Sequence, residues 1–480
     1  MSQEQAGPRV TAERLAADEN LRARYEMRLG MFMMPVHPPG RSLKDRLDEN
    51  TAKCLYADKL RYDEVWMGEH FSAVTEPIPS PFMFLAGLVP QTKNLSFGTA
   101  VVNLPNHHPA IVAAEAAQFD HMSGGRFMFG IGSGGLASDF ELFDVFDGAL
   151  RQRKFLESID LILRIWAQDP PYDLQGEFWR VKIEKVIVPE LGFGEMPKPY
   201  QKPHPPLHVS VGSPNSSTAA MAASRGWGMI SGPAAPTYSI ASHWQVYADT
   251  CRAEGKVPRG ENWRISRNIV VASSDAEAHD RVFGDGASNR YFFNYMHTAL
   301  TKAKRLITIK PRADMTDAEC TPEAVMNECI IHGSPRTVLD KLIAFRDRVG
   351  PFGGLLKMGL DWGGANEAWE REAMQRLAEE VMPKFRQHVT ASQAAEYLFV
   401  ETPALQPHIQ CARPAMTMRG ILETDDIRPE FRQPQPQRHL ALQHAALART
   451  IALGVGFQMR QARQDIELAV HLRQRLQIGR

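Results

Sequence analysis

The sequence carries no charge imbalance: 55 Lys and Arg residues offset 55 Asp and Glu. No long-range field therefore draws it to nucleic acid or an anionic membrane, and a small neutral substrate is the default expectation. Cysteine is scarce. Cys54, Cys251, Cys320, Cys329 and Cys411 are odd in number, scattered and never spaced as C-x-x-C, which speaks against a disulfide framework and a zinc site and suits a reducing compartment. Long apolar runs are missing too, since no segment approaches the roughly 20 residues that span a bilayer. Residues 2–26 are polar and charged, without the apolar core of a signal peptide. A soluble, cytoplasmic protein is expected, with neither membrane nor nucleic acid as partner. Lysine disappears after Lys384 while Arg, Gln and His persist, and Gln433-Pro-Gln-Pro-Gln437 interrupts that stretch. Such a shift marks a boundary. The expected division is an N-terminal arm (1–27), a main domain (28–390) and a C-terminal extension (391–480) to which no chemistry is assigned.

What the chain does contain is an alternation of short apolar segments with longer amphipathic ones, as in repeated βα units around a buried parallel sheet. Eight strands are expected: Arg28 to Met34, Glu64 to Met67, Leu95 to Val102, Phe127 to Ile131, Leu207 to Val211, Gly228 to Ser231, Trp263 to Ala272 and Gly354 to Leu360. Eight such strands close into a (β/α)8 TIM-like barrel, whose chemistry sits on the loops after the C-terminal strand ends. Pro170 to Pro206 is expected to be a long wrapping loop with short strands. Ser273 to Ser334, after the seventh strand, is read as a long connection. Its aromatic run Arg290-Tyr-Phe-Phe-Asn-Tyr295 suits either a mobile cover over an apolar pocket or a plain surface hairpin.

Position then selects the candidates. His70 follows a buried strand beside Glu69, where an imidazole titrating near neutrality serves as general acid or base. Glu69 either orients it or faces a neighbouring helix. His37 and His108, also near strand ends, are candidates for the substrate pocket. Divalent-metal barrels gather several His and carboxylate ligands on neighbouring strands, and no such set is evident, so no metal is assigned. Gly130-Ile-Gly132-Ser-Gly-Gly135 matches G-x-G-x-x-G, but it follows the fourth strand and lacks the acidic second-strand end of a dinucleotide fold. These glycines are read instead as letting a flat ring approach the backbone. Ser213-Pro-Asn-Ser-Ser-Thr218 precedes an Ala-rich helix and reads as a phosphate cradle, with a simple N-cap as the alternative. Arg153 could add a guanidinium to that phosphate or lie on the surface.

Taken together, the segments Leu29-Gly-Met-Phe-Met-Met34, Tyr62-Asp-Glu-Val-Trp-Met-Gly-Glu-His70, Gly98-Thr-Ala-Val-Val-Asn-Leu-Pro105, His108-Pro109, Phe119-Asp-His-Met-Ser-Gly-Gly-Arg-Phe127, Arg153-Lys-Phe-Leu-Glu157 and Ser213-Pro-Asn-Ser216 resemble the bacterial luciferase-like flavin-dependent monooxygenases, over about residues 28–390. Met34-Pro-Val-His-Pro-Pro-Gly40 and Leu136-Ala-Ser-Asp139 look closest to the limonene-monooxygenase-like branch. The resemblance implies a barrel with an insertion after its seventh strand, commonly a homodimer, that uses reduced FMN (FMNH2) from a separate NAD(P)H:flavin reductase. The implied reaction passes through a peroxyflavin and puts one atom of O2 into a small apolar substrate such as a terpene or cyclic ketone. His70 matches the family's catalytic histidine. Ala100 and Val101 match a non-proline cis peptide against the flavin, with Asn103, Gly132 and Ser133 beside it. Arg153, Ser213, Asn215, Ser216 and Ser217 match phosphate contacts. Ser133 stands where luciferase has an arginine and Gly132 where it has a cysteine, so light emission is not expected. Two other readings remain: a deazaflavin-dependent dehydrogenase on the same fold, and a flavin-binding protein without turnover.

Overall fold

The computed structural model describes residues 27–390; the expectations for residues 1–26 and 391–480 lie outside the described residues. In chain order the strands are β1 (Arg28–Met33), β2 (Glu64–Met67), β3 (Ser96–Thr99), β4 (Val102–Asn103), β5 (Phe127–Gly132), β6 (Tyr172–Gln175), β7 (Arg180–Ile183), β8 (Leu207–Val211), β9 (Gly228–Ser231), β10 (Trp263–Val271), β11 (Ile330–Gly333) and β12 (Gly354–Met358). The α-helices are α1 (Leu43–Lys59), α2 (Pro81–Leu88), α3 (Pro109–Met122), α4 (Ala137–Leu142), α5 (Gly148–Ala167), α6 (Ser217–Arg225), α7 (Thr237–Ala253), α8 (Asp275–Phe283), α9 (Ser288–Lys302), α10 (Pro322–Cys329), α11 (Pro335–Val349) and α12 (Asn366–Arg376).

Strands β1, β2, β3, β5, β8, β9, β10 and β12 pair in parallel, each with the next, and β12 returns to β1 through Arg28↔Gly354 and Phe32↔Met358. The sheet is a closed barrel of the (β/α)8 type. Parallel strands covered on both faces read as continuous apolar runs, which is why all eight strands fall within a few residues of their expected positions. Capping residues start the surrounding helices: the side chains of Ser42, Ser80, Asp147, Ser216 and Ser334 each accept a backbone N–H of the first turn.

Two expectations change. The third strand is not continuous from Leu95 to Val102: it stops at Thr99, the Ala100–Val101 peptide is cis, and β4 resumes against β5. The Thr99 hydroxyl bridges the break, donating to Gly130 O at 2.7 Å and accepting from Gly130 N at 2.9 Å. A Cβ on Gly130 would lie 1.7 Å from Thr99 O, so only glycine fits there. The connection Ser273 to Ser334 holds more than the helical hairpin that is one of its two readings: it contains α8, α9, α10 and β11, and β11 extends the sheet beside β10. Phe292 and Phe293 of α9 join one apolar cluster with Phe32, Trp66, Ala100 and Val101 at the barrel mouth. Pro170 to Pro206 behaves as expected, with β6 and β7 forming a small antiparallel hairpin.

Inside the barrel a buried ion pair joins β2 to β10. Arg264 donates from Nε and Nη2 to the two Glu64 carboxylate oxygens at 2.7 Å each, and Trp66 Nε1 adds a bond at 2.8 Å. Burial works against the Glu64 carboxylate, but Arg264 and Trp66 outweigh it and hold its pKa below the usual value. The pair therefore stabilises the fold above the unfolded glutamate pKa of about 4.3 and loses that contribution as pH falls further. Replacing Arg264 with Leu strands a buried carboxylate and is expected to cost about 3–5 kcal/mol in urea melts at pH 7, with the loss shrinking toward pH 4. A loss below about 1 kcal/mol would mean that Glu64 finds other solvation.

Candidate functional site

The site is built on the segment that leaves β2. Glu69 and His70 emerge at the C-terminal end of that strand, and residues 71–78 fold back over the mouth. This return is held from several sides. Asp139 in α4 accepts from Phe71 N at 3.2 Å and Ser72 N at 2.9 Å. His37 N donates to Thr75 O at 2.8 Å, Arg46 donates to Val74 O, and His70 N donates to Ile78 O at 3.2 Å.

The fold-back brings Glu76 onto His70. Glu76 Oε2 lies 2.9 Å from His70 Nδ1, an ion-pair contact somewhat off the line of a straight hydrogen bond, with both side chains largely buried. Burial alone would lower the imidazole pKa. Glu76, helped by Asp139 and Glu69, outweighs burial and raises it above the ordinary value. Glu76 Oε1 also accepts from Tyr295 Oη of α9 at 2.9 Å. His70 and Glu76 line a small recess whose other walls are Met33, Met34, Pro35, Gly68, Pro77 and Ile78. The result is a titratable ring in an apolar wall at the C-terminal face, where such barrels assemble their sites.

Glu69 does not orient His70. Its carboxylate accepts from Asn103 N at 2.7 Å and contacts His107 Nε2 at 2.7 Å, while its carbonyl accepts from Asn103 Nδ2 at 3.1 Å. Burial disfavours protonated His107, but Glu69 prevails and raises its pKa. Glu69 thus anchors β4 and the turn after it. The residue sequence reasoning missed is Glu76, whose position six residues beyond His70 in a Pro-rich loop carries no periodic signal.

The remaining candidates are placed as follows. The cis Ala100–Val101 bond sits at the mouth, and a Cβ on Gly132 would meet Val101 Cγ2 at 2.5 Å. Gly132 is therefore required by Val101 itself. Asn103 is buried and pairs with Gly132 at the end of β5, and Ser133, the next residue, is half-buried. Beyond β5, β8 and β9 the backbone is bare: a Cβ on Gly135, Gly212 or Gly232 would enter open space. Ser213, Asn215 and Ser217 are exposed in the loop that starts α6, Asn215 has φ 52°, and Ser216 caps the helix through Thr218 N at 3.2 Å. Arg153 is exposed and paired with Glu177 at 3.3 Å. Its guanidinium also lies 5.7 Å from the centre of the Phe178 ring. A flat backbone patch, a bare rim and a hydroxyl-rich helix start fit a ring that carries a phosphate.

Neither His37 nor His108 lines the recess. His37 is fully buried, with Nδ1 2.6 Å from Asp361 Oδ1 and Nε2 3.2 Å from Asn50 Oδ1, so neither ring nitrogen is available to a ligand. His108 caps α3 by accepting from Ala110 N at 3.2 Å and stacks edge-on against Trp179. His37, Glu49 and Asp361 gather potential ligand atoms within 4.8 Å of one another. Arg41 and Lys53 already contact those carboxylates, which makes the group an ion-pair network tying α1 to the end of β12. No helix among the described residues is long and apolar enough to cross a membrane.

Comparison with known proteins agrees with this geometry. Residues 27–350 match the family model described as luciferase-like monooxygenase. The chain is 30% identical over 362 residues to a 4-hydroxyprotoasukamycin monooxygenase of Streptomyces nodosus subsp. asukaensis, covering 74% of this chain and 91% of that protein. It is 28% identical to the oxygenase component of a flavin-dependent trigonelline monooxygenase of Acinetobacter baylyi (76% and 99% covered), and 25% identical to a limonene 1,2-monooxygenase of Rhodococcus erythropolis (74% and 86% covered). Among solved structures, the oxygenating constituent of 3,6-diketocamphane monooxygenase from Pseudomonas putida, described in complex with FMN, shares the fold with a TM-score of 0.66 at 24% identity, over 75% of this chain and 98% of that one. The chain belongs to the luciferase-like monooxygenase family and is a flavin-dependent monooxygenase.

Proposed function

We propose that the protein is the oxygenase component of a two-component system, taking reduced FMN from a separate NAD(P)H-dependent reductase and placing one oxygen atom of O2 into a small apolar substrate such as a terpene or cyclic ketone. The observation that carries this reading is the placement of His70: an imidazole with a raised pKa, set in an apolar recess beside the cis Ala100–Val101 patch. The relative named as an oxygenase component supports the separate reductase, and the relative named for limonene supports an apolar cyclic substrate. A cytoplasmic homodimer goes with this reading.

In it, Ala100, Val101 and Gly132 offer the surface for the ring, with Asn103 and Ser133 beside them. Arg153, Ser213, Asn215, Ser216 and Ser217 hold the phosphate. When bound, reduced FMN supplies the electrons that activate dioxygen. The chain's own work is to orient, to keep the pocket dry and to manage a proton. Met33, Met34 and Ile78 exclude water from one wall, and Phe292 and Phe293 cap the mouth. His70, charged through Glu76, is the proton donor to oxygen, and its Nε2 is the ring nitrogen left for that task.

Two variants separate holding from chemistry. Arg153→Ala is expected to weaken FMN binding about ten- to a hundredfold more than riboflavin binding, as befits a charge-assisted contact to phosphate; equal losses in a fluorescence titration would remove Arg153 from the phosphate site. His70→Ala is expected to keep FMN affinity within a few-fold and still consume oxygen, while most reducing equivalents leave as hydrogen peroxide rather than oxygenated product. Normal product yield per reduced flavin in that variant would eliminate His70 as the proton donor, and a collapse of FMN affinity would reassign it to cofactor binding.

A further inference from the structure

We infer that Glu76 is the positioning residue of this site, fixing the charged state of His70 through one carboxylate oxygen and docking the insertion helix α9 through the other. The inference rests on the reading of His70 as an acid–base group. Its basis is a shared carboxylate: Oε2 lies 2.9 Å from His70 Nδ1, and Oε1 accepts from Tyr295 Oη at 2.9 Å. Glu76 is 7% exposed, so both contacts are made largely out of water, where attraction between charges is least screened.

The other acids near His70 are already engaged. Asp139, approaching from α4, is taken by Phe71 and Ser72, and Glu69 by Asn103 and His107. Glu76 is the carboxylate that meets the ring. On the far side, Tyr295 lies on the same helix as Phe292 and Phe293, which pack into the apolar cluster of the mouth. Burial and Glu76 both keep the Tyr295 phenol protonated, so it remains a donor across the working pH range. Seating α9 thus shields the carboxylate that holds the proton on His70. When the helix lifts, Glu76 loses a donor and gains water, and the charge on His70 is held less tightly. Covering of the mouth and readiness of the acid are then one event.

Two substitutions in the full-length chain divide the roles of Glu76. Glu76→Gln removes the charge but keeps an acceptor for Tyr295; Tyr295→Phe removes the tether but keeps the charge. With histidine labelled in ¹⁵N and no flavin added, Glu76→Gln should move the His70 titration midpoint down while amide exchange of residues 288–302 stays as in the parent. Tyr295→Phe should speed that exchange several-fold while His70 still titrates above free histidine. In turnover, Glu76→Gln should shift the alkaline limb of product yield to lower pH. An unmoved His70 midpoint in Glu76→Gln, or unmoved exchange in Tyr295→Phe, overturns the inference. Both primary readouts are made on flavin-free protein, so they succeed or fail independently of the product-to-peroxide ratio of His70→Ala.

Discussion

A parallel sheet closed on itself has no free edge and no solvent-facing side, and everything else in this protein follows from that constraint. The wall strands must be apolar on both faces, so polar chemistry is expelled to the loops at one end. A carboxylate that remains inside is paired, as Glu64 is with Arg264 and Trp66. At the break in the third strand the wall departs from regular pairing, and Thr99 bridges to Gly130 with its hydroxyl. That break lies at the mouth, next to the segment that carries His70.

Around the mouth, besides Asp139 under Phe71 and Ser72, acidic side chains form networks with different work. Glu49 and Asp361 with His37, Arg41 and Lys53 bind α1 to the end of β12. Glu69 with Asn103 and His107 fixes the chain after the cis bond. Glu76 alone is shared between a ring that lines the recess and a side chain of the covering insertion. The first two are closed circles of partners and serve as structure. The third includes a ring that lines an apolar recess, and the proposed acid–base role rests on that ring.

Much of this was legible in the sequence. The eight strands were readable because burial on both faces writes an unbroken apolar run, and Val65, Trp66 and Met67 or Val209 and Val211 leave little room for another assignment. Strand position singled out His70, because barrel enzymes assemble their sites at the C-terminal strand ends, and the ring does line a recess there. The interruption at Ala100 was not visible in composition and entered only through family resemblance. Histidines were read too generously: His37 and His108 stand near strand ends, yet one is consumed by a buried ion pair and the other by a helix cap, and neither fate leaves a local signature. Glu76 and Tyr295 were illegible for a deeper reason. They lie 219 positions apart and meet only because the loop after β2 and the insertion after β10 converge over one opening.

The proposed function sets the cis Ala100–Val101 patch and the His70 recess against a bound flavin ring whose phosphate rests on the loop before α6. A crystal structure of the full chain with FMN tests this most directly. The account predicts the ring against Ala100 and Val101, His70 Nε2 facing it, and the phosphate among Ser213, Ser216, Ser217 and Arg153, with Arg153 released from Glu177. A ring bound away from the cis peptide, or a phosphate held elsewhere on the barrel rim, would contradict it.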